Sequence, residues 1–91
     1  MVTQAQLEKC VTIAKKYGVK KLVLFGSAVD DPVNARDIDF ICTGVNGLEL
    51  LRMVGEMENE ISVLVDAVPG DQETPFVKFN LPLGKILYEA A

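Results

Sequence analysis

Five residues have types and spacing that suit phosphate chemistry: the Gly26-Ser27 pair, the spaced carboxylates Asp37 and Asp39, and Asp66 further along. Gly26 and Ser27 close the apolar run Leu22-Val23-Leu24-Phe25. A glycine at a strand end lets backbone N–H groups approach a phosphate closely, and the Ser27 hydroxyl adds a donor at the same place. Residues two apart on a strand project to one side, roughly 6.5 to 7 Å apart at Cα. Asp37 and Asp39 can therefore converge on a shared cation, and hard divalent cations take oxygen ligands of this kind. Phosphoryl transfer by two metals holds the ions about 4 Å apart, one over the attacking oxygen and one along the phosphates. Asp66 lies in the β-branched run from Ile61 to Val68, so it would come from a neighbouring strand as a third carboxylate. Buried there without a cation it would be costly; beside a metal it stays ionised and can orient or deprotonate an attacking hydroxyl.

Taken singly, each piece has a plainer reading. A Gly-Ser pair is most often just a turn, and an Asp-x-Asp is usually a solvated edge. Their order, the apolar run before Gly26 and the third acid together point to a site. There is no GxxxxGK[ST] and no GxGxxG, which excludes a Walker loop and the dinucleotide fingerprint. Asp30 and Asp31, next to Pro32, read as loop-capping or solvent-facing acids, while Arg52, Lys78 and Lys85 read as solvated charges.

The elements that must position these residues follow from periodicity. Thr3 can cap a helix carrying Leu7, Cys10, Val11, Ala14 and Tyr17 on one side, closed by Lys15, Lys16 and Gly18. Residues 20–25 read as a short buried strand that exits into the Gly26-Ser27 turn, and 30–35 as a loop. From Asp37 to Thr43 the pattern alternates, with Ile38 and Phe40 facing one way and Asp37, Asp39 and Ile41 the other. After a turn at Gly44 to Gly47, Leu50, Leu51, Val54 and Met57 recur at helical spacing until Glu58-Asn59-Glu60. The Met53 and Met57 pair belongs to the core or to a partner interface. Residues 61–68 read as a central strand covered on both faces, 73–80 as a short helix, and 85–88 as a last strand. The expectation is one domain over 1–91, of α/β (α+β) class, with a small mixed sheet and packed helices.

Size and charge narrow the options further. Ninety-one residues with 49% hydrophobic content support one core and leave no length for a separate substrate module. A core of that size favours burying an apolar face in a dimer or hetero-complex. The net charge of −4, with scattered basic residues, argues against long nucleic acid. Cys10 and Cys42 lack CxxC spacing and the chain has no histidine, so both read as buried thiols. With no leader-like start and no apolar stretch near the eighteen residues or so of a membrane span, a cytoplasmic protein with no membrane contact is expected.

Leu24-Phe25-Gly26-Ser27, then Arg36-Asp37-Ile38-Asp39-Phe40, then Val65-Asp66 resemble the minimal nucleotidyltransferase domains of the DNA polymerase beta superfamily. The resemblance runs from the opening helix to the closing Gly84-Lys85-Ile86-Leu87-Tyr88-Glu89. It implies a nucleotidyltransferase palm, two Mg²⁺ ions, and transfer of a nucleoside monophosphate, AMP from ATP, to a hydroxyl. On that resemblance Asp37, Asp39 and Asp66 ligate metal and form the catalytic triad, and Gly26 and Ser27 hold the triphosphate. It further implies a partnership with an all-helical HEPN protein, either by adenylylating it or as a non-catalytic antitoxin that binds it. Family members commonly follow the serine with a basic residue and a glycine, whereas Ala28-Val29-Asp30-Asp31-Pro32 stands here. Arg36 is then the best local cation to meet the phosphates, with Lys20, Lys21 or a partner's side chain as the other sources.

Overall fold

The first helix, α1 (Gln4–Lys16), starts with a reciprocal cap. The Thr3 hydroxyl accepts from the Gln6 N–H at 3.2 Å, and the Thr3 N–H donates to Gln6 Oε1 at 2.9 Å, so two donors that a helix start leaves unpaired are both satisfied. Lys15 and Lys16 lie in the last turn, where cations suit the helix dipole, and Gly18 adopts φ +82° just beyond. The computed structural model describes residues 1–91.

The remaining elements are β1 (Lys21–Phe25), α2 (Ser27–Asp30), β2 (Asp37–Thr43), α3 (Gly47–Ile61), β3 (Leu64–Pro69), α4 (Pro75–Asn80), a 3₁₀ turn (Leu81–Leu83) and β4 (Lys85–Glu89). The sheet order is β3-β2-β1-β4. β1 pairs antiparallel with β2 and with β4, while β2 and β3 run parallel, joined through α3. The result is the small mixed sheet expected from the sequence.

Alternation along the strands divides the sheet into two unequal faces. Leu22, Leu24, Ile38, Phe40, Cys42 and Val65 point into the larger core, under α1 and α3. Met53 and Met57 are fully buried there, which settles both as core residues. Fully burying a side chain of that size is worth about 1.5–3 kcal/mol. Val23 and Ile41 occupy the opposite face, covered by Val77 of α4 with Phe25, Val68 and Leu81 around them. That second layer is thin, and it stops short of the place where β1 ends and β2 and β3 begin.

Three expectations need correction. β3 is an edge strand and not a central one, because it hydrogen-bonds to β2 alone. An apolar, β-branched run does not distinguish a strand flanked on both sides from an edge strand with one covered face. Val65 is buried while Leu64 stays 69% exposed, and the first edge N–H, that of Val65, donates to Glu58 Oε2 at 2.9 Å. Leu51 is also 69% exposed, since the buried stripe of α3 runs through Leu50, Met53, Met57 and Ile61. Residues 27–30 form the short helix α2 before the loop begins. No helix is long and apolar enough to cross a membrane.

Candidate functional site

Gly26 turns the chain out of β1 with φ +78° and ψ −152°, a backbone region that essentially only glycine occupies. β1 and β2 are in register so that Phe25 sits opposite Asp39. Gly26 thereby passes directly over the Asp39 side chain, and a Cβ placed on it would lie 3.0 Å from Asp39 Oδ2. Both the conformation and the approach require a residue without a side chain.

Parallel pairing of β2 with β3 puts Asp39 directly beside Asp66. Neighbouring strands stand about 4.8 Å apart, so the two backbones are closer here than Asp37 and Asp39 are along one strand. Asp37, Asp39 and Asp66 share the thinly covered face of the sheet, opposite the larger core. Asp39 is half-buried and the other two are exposed. The Asp39 carboxyl titrates above the usual carboxylate range, first because burial disfavours its charge and then because Asp37 and Asp66 repel it.

None of these carboxylates is paired within the chain: no lysine or arginine forms an ion pair with them, and no N–H or O–H donates to their side chains. Nor do they close into a three-acid group able to grip an ion as their side chains stand. In donor chemistry the three still fit a hard divalent cation, which would relieve the repulsion acting on Asp39. The exposure of Asp66 corrects the expectation that a cation was needed to explain its burial, because at the sheet edge water solvates it.

The other anticipated residues lie nearby with less definition. Ser27 follows Gly26 as the first residue of α2 and is exposed. Arg36 precedes β2, is exposed and makes no ion pair within the chain. Asp31 is a loop-capping acid as expected, accepting from Asn34 Nδ2 at 2.8 Å. Asp30 differs: it lines a cleft of about 310 Å³ together with Phe25, Gly26, Val29, Asn80 and Leu83. Asn80 carried no signal in the sequence, since only the packing of α4 beside the Gly26 turn brings it here. Phe76, from the same helix, meets Phe25 edge-to-face with ring centroids 5.6 Å apart.

The same architecture occurs in crystal structures of two variants of the toxin-antitoxin MntA-HpeT. One, with a tyrosine replaced by alanine, superimposes with a TM-score of 0.79 at 16% identity, over 92% of this chain and 72% of that one. The chain shares the fold of that structure, a small mixed sheet with packed helices. The second variant, in which two aspartates two positions apart are replaced by glutamate, gives a TM-score of 0.76 at 15% identity, over 91% of this chain and 72% of that one. No protein-family model and no curated protein matches the sequence. In this fold the Gly26 bend and the three aspartates lie on one side of the sheet, away from α1 and α3.

Proposed function

We propose that this chain is a Mg²⁺-dependent nucleotidyltransferase that moves a nucleoside monophosphate, AMP from ATP, onto a hydroxyl of a HEPN-type helical partner in a toxin-antitoxin pair. The observation that carries the proposal is the register that sets Asp39 beside Asp66, with Asp37 on the same face and Gly26 against Asp39. The paired-aspartate variant of MntA-HpeT supports it, because the substituted aspartates there have the same two-residue spacing as Asp37 and Asp39.

In this reaction Asp37, Asp39 and Asp66 would hold two Mg²⁺ ions, which would supply neutralisation of phosphate charge and activation of the attacking oxygen. Gly26 leaves room for the triphosphate against the bend, Ser27 donates its hydroxyl to a phosphate oxygen, and Arg36 contributes the compensating positive charge. Asp66, at the solvent-facing edge, orients the acceptor hydroxyl and takes its proton. A bond forms between the acceptor oxygen and the α-phosphorus, the bond from that phosphorus to the bridging oxygen breaks, and pyrophosphate leaves.

The test incubates the protein with ATP labelled at its α-phosphate, Mg²⁺ and the product of the adjacent open reading frame. Label transferred to that product, and lost with Asp39→Ala and with Asp66→Ala, is the expected result; labelling that survives both substitutions defeats the mechanism. A second reading is favoured by the exposed apolar side chains Phe76 and Leu83 beside the bend and Phe79 further along α4. On it the chain is a non-catalytic antitoxin that neutralises its partner by covering it. Aspartate variants that keep both the complex and the protection of cells would select this second function.

A further inference from the structure

β4 is an edge strand: it hydrogen-bonds to β1 alone, and its outer row of N–H and C=O groups faces away from the sheet. α1 runs above β1 and β4, with Leu7 beside Leu24 and Lys85, and with Lys15 over the Tyr88 ring at 5.1 Å. Between α1 and the β4 edge lies a groove of about 310 Å³, floored by Leu7, Val11 and Leu87 and rimmed by Gln4, Glu8 and Thr12. Val11 and Leu87 are only half-buried. We infer that a second copy of this chain covers the groove and the β4 edge, turned about a two-fold axis that passes beside Val11 and Leu87. This inference does not depend on the proposed reaction.

The charges on α1 select that occupant. Glu8, Val11 and Lys15 follow one another at helical spacing on the side of α1 that faces the β4 edge. Glu8 and Lys15 are exposed, and neither has an ion-pair partner in the chain. A two-fold axis beside Val11 sets two α1 helices antiparallel, so Glu8 of each copy meets the partner's Lys15, and the two Val11 side chains meet between those pairs. The stripe is thus complementary to itself, as a contact that uses the same patch on both subunits requires. Spacing agrees with this arrangement. Because α1 covers two strands, edges of β4 placed side by side set the helix axes about two strand spacings apart, roughly 10 Å. Helices pack at about 8–10 Å. The bulge in the β1–β4 pairing leaves the successive residues Leu87 and Tyr88 both packed toward the larger core, so strand alternation sets no register at this edge. The charges of α1 set it instead. Asp37, Asp39 and Asp66 lie on the opposite face of the sheet and stay uncovered in both copies.

The experiment measures the mass of the full chain in solution by sedimentation and light scattering over a range of concentrations. A mass twice the 9.9 kDa of one chain is expected at high concentration, with dissociation on dilution and a weaker dimer in high salt. Glu8→Lys alone and Lys15→Glu alone each set like charges together at two symmetric places, and each should weaken the dimer about tenfold. The two substitutions combined restore opposite charges and should restore the dimer. Both positions are exposed, so circular dichroism should show every variant folded. Val11→Cys puts two thiols beside the axis, within disulfide reach. On oxidation it should give a covalent dimer that the unsubstituted protein, whose Cys10 and Cys42 are fully buried, does not form. A single-chain mass at every concentration up to about 1 mM, too weak an association to matter, overturns the dimer and leaves the groove to a different protein. A dimer indifferent to both single reversals, or a combined variant weaker than either one, overturns the interface.

Discussion

A methyl group on Gly26 would stand 3.0 Å from Asp39 Oδ2, on a backbone already at φ +78°. The bend and the central carboxylate are therefore fitted to each other, and neither can change alone. Gly26→Ala meets two penalties, since alanine resists this backbone conformation and its methyl pushes Asp39 off its position. The backbone part alone costs about 1–3 kcal/mol, which urea unfolding would read as a lowered midpoint with an unchanged slope. If label transfer is the activity, it should fall further than the lost stability explains, because Asp39 is displaced in molecules that remain folded.

Asp39 and Asp66 lie side by side with Asp37 close at hand, and burial first, with the repulsion of Asp37 and Asp66 added to it, makes ionised Asp39 a destabilising group. Its folded pKa lies above the ordinary value of 3.8. Its folded form therefore keeps a proton that the unfolded chain has released, and stability is lost as pH rises from that value through the folded pKa. Asp39→Asn should accordingly raise the thermal midpoint at pH 7, and the gain should vanish as pH falls below 3.8. Added Mg²⁺ should raise the midpoint of the unsubstituted protein and have little effect on the variant. A lower midpoint for Asp39→Asn at neutral pH would mean that the carboxylate is held by favourable contacts and not strained by its neighbours.

Much of this arrangement was legible in the sequence for identifiable reasons. The alternation from Asp37 to Thr43 put both of its aspartates on the face opposite Ile38 and Phe40, because a pleated strand leaves no other choice. Thr3 and Gln6 announced the start of α1 through a local hydrogen-bond exchange that needs no tertiary information. The place of β3 was not legible: Ile61 to Val68 is apolar enough for a central strand, and only pairing partners reveal an edge. The pairing of Asp66 with Asp39 likewise depends on the length and seating of α3. Asn80 was invisible because its place beside the Gly26 turn depends on where α4 docks, which a short helix with one buried residue, Val77, does not specify.

Glu56 of α3 ties that helix to α1, and its titration has the opposite sign to that of Asp39. Lys16 donates to Glu56 Oε2, and the Tyr17 hydroxyl donates to Glu56 Oε1 at 3.0 Å. The Lys16 bond first, and then the Tyr17 bond, hold the carboxyl below its ordinary 4.5. A lowered carboxyl pKa contributes stability above the unfolded value and loses it as pH falls through the folded one. Glu56→Gln should therefore lower the thermal midpoint slightly at pH 7 and match the unsubstituted protein in strong acid. Salt should shrink the difference, since the pair is exposed to solvent. A difference that persists unchanged at low pH would trace the effect to packing and not to charge.

Cys10 and Cys42 face each other's elements across the larger core, fully buried and unbridged. Burial pushes the Cys42 thiol up to about 12 and the Cys10 thiol to about 11, with Asp71 and then Cys10 adding smaller repulsions at Cys42. The thiolate is the reactive form, so at pH 8 both should resist a thiol reagent in the folded protein and react together only when the chain opens. Their reaction rate then measures the opening equilibrium, and it should rise in step with Gly26→Ala and other destabilising substitutions. The same shifts set an alkaline limit. Raised above the ordinary 9.0, the buried thiols favour the folded state below that pH and cease to do so as pH climbs toward 11 and 12. Cys42→Ala should be less stable than the unsubstituted protein at pH 7 because it leaves a cavity. That deficit should narrow above pH 9, and a deficit independent of pH would assign the whole effect to packing.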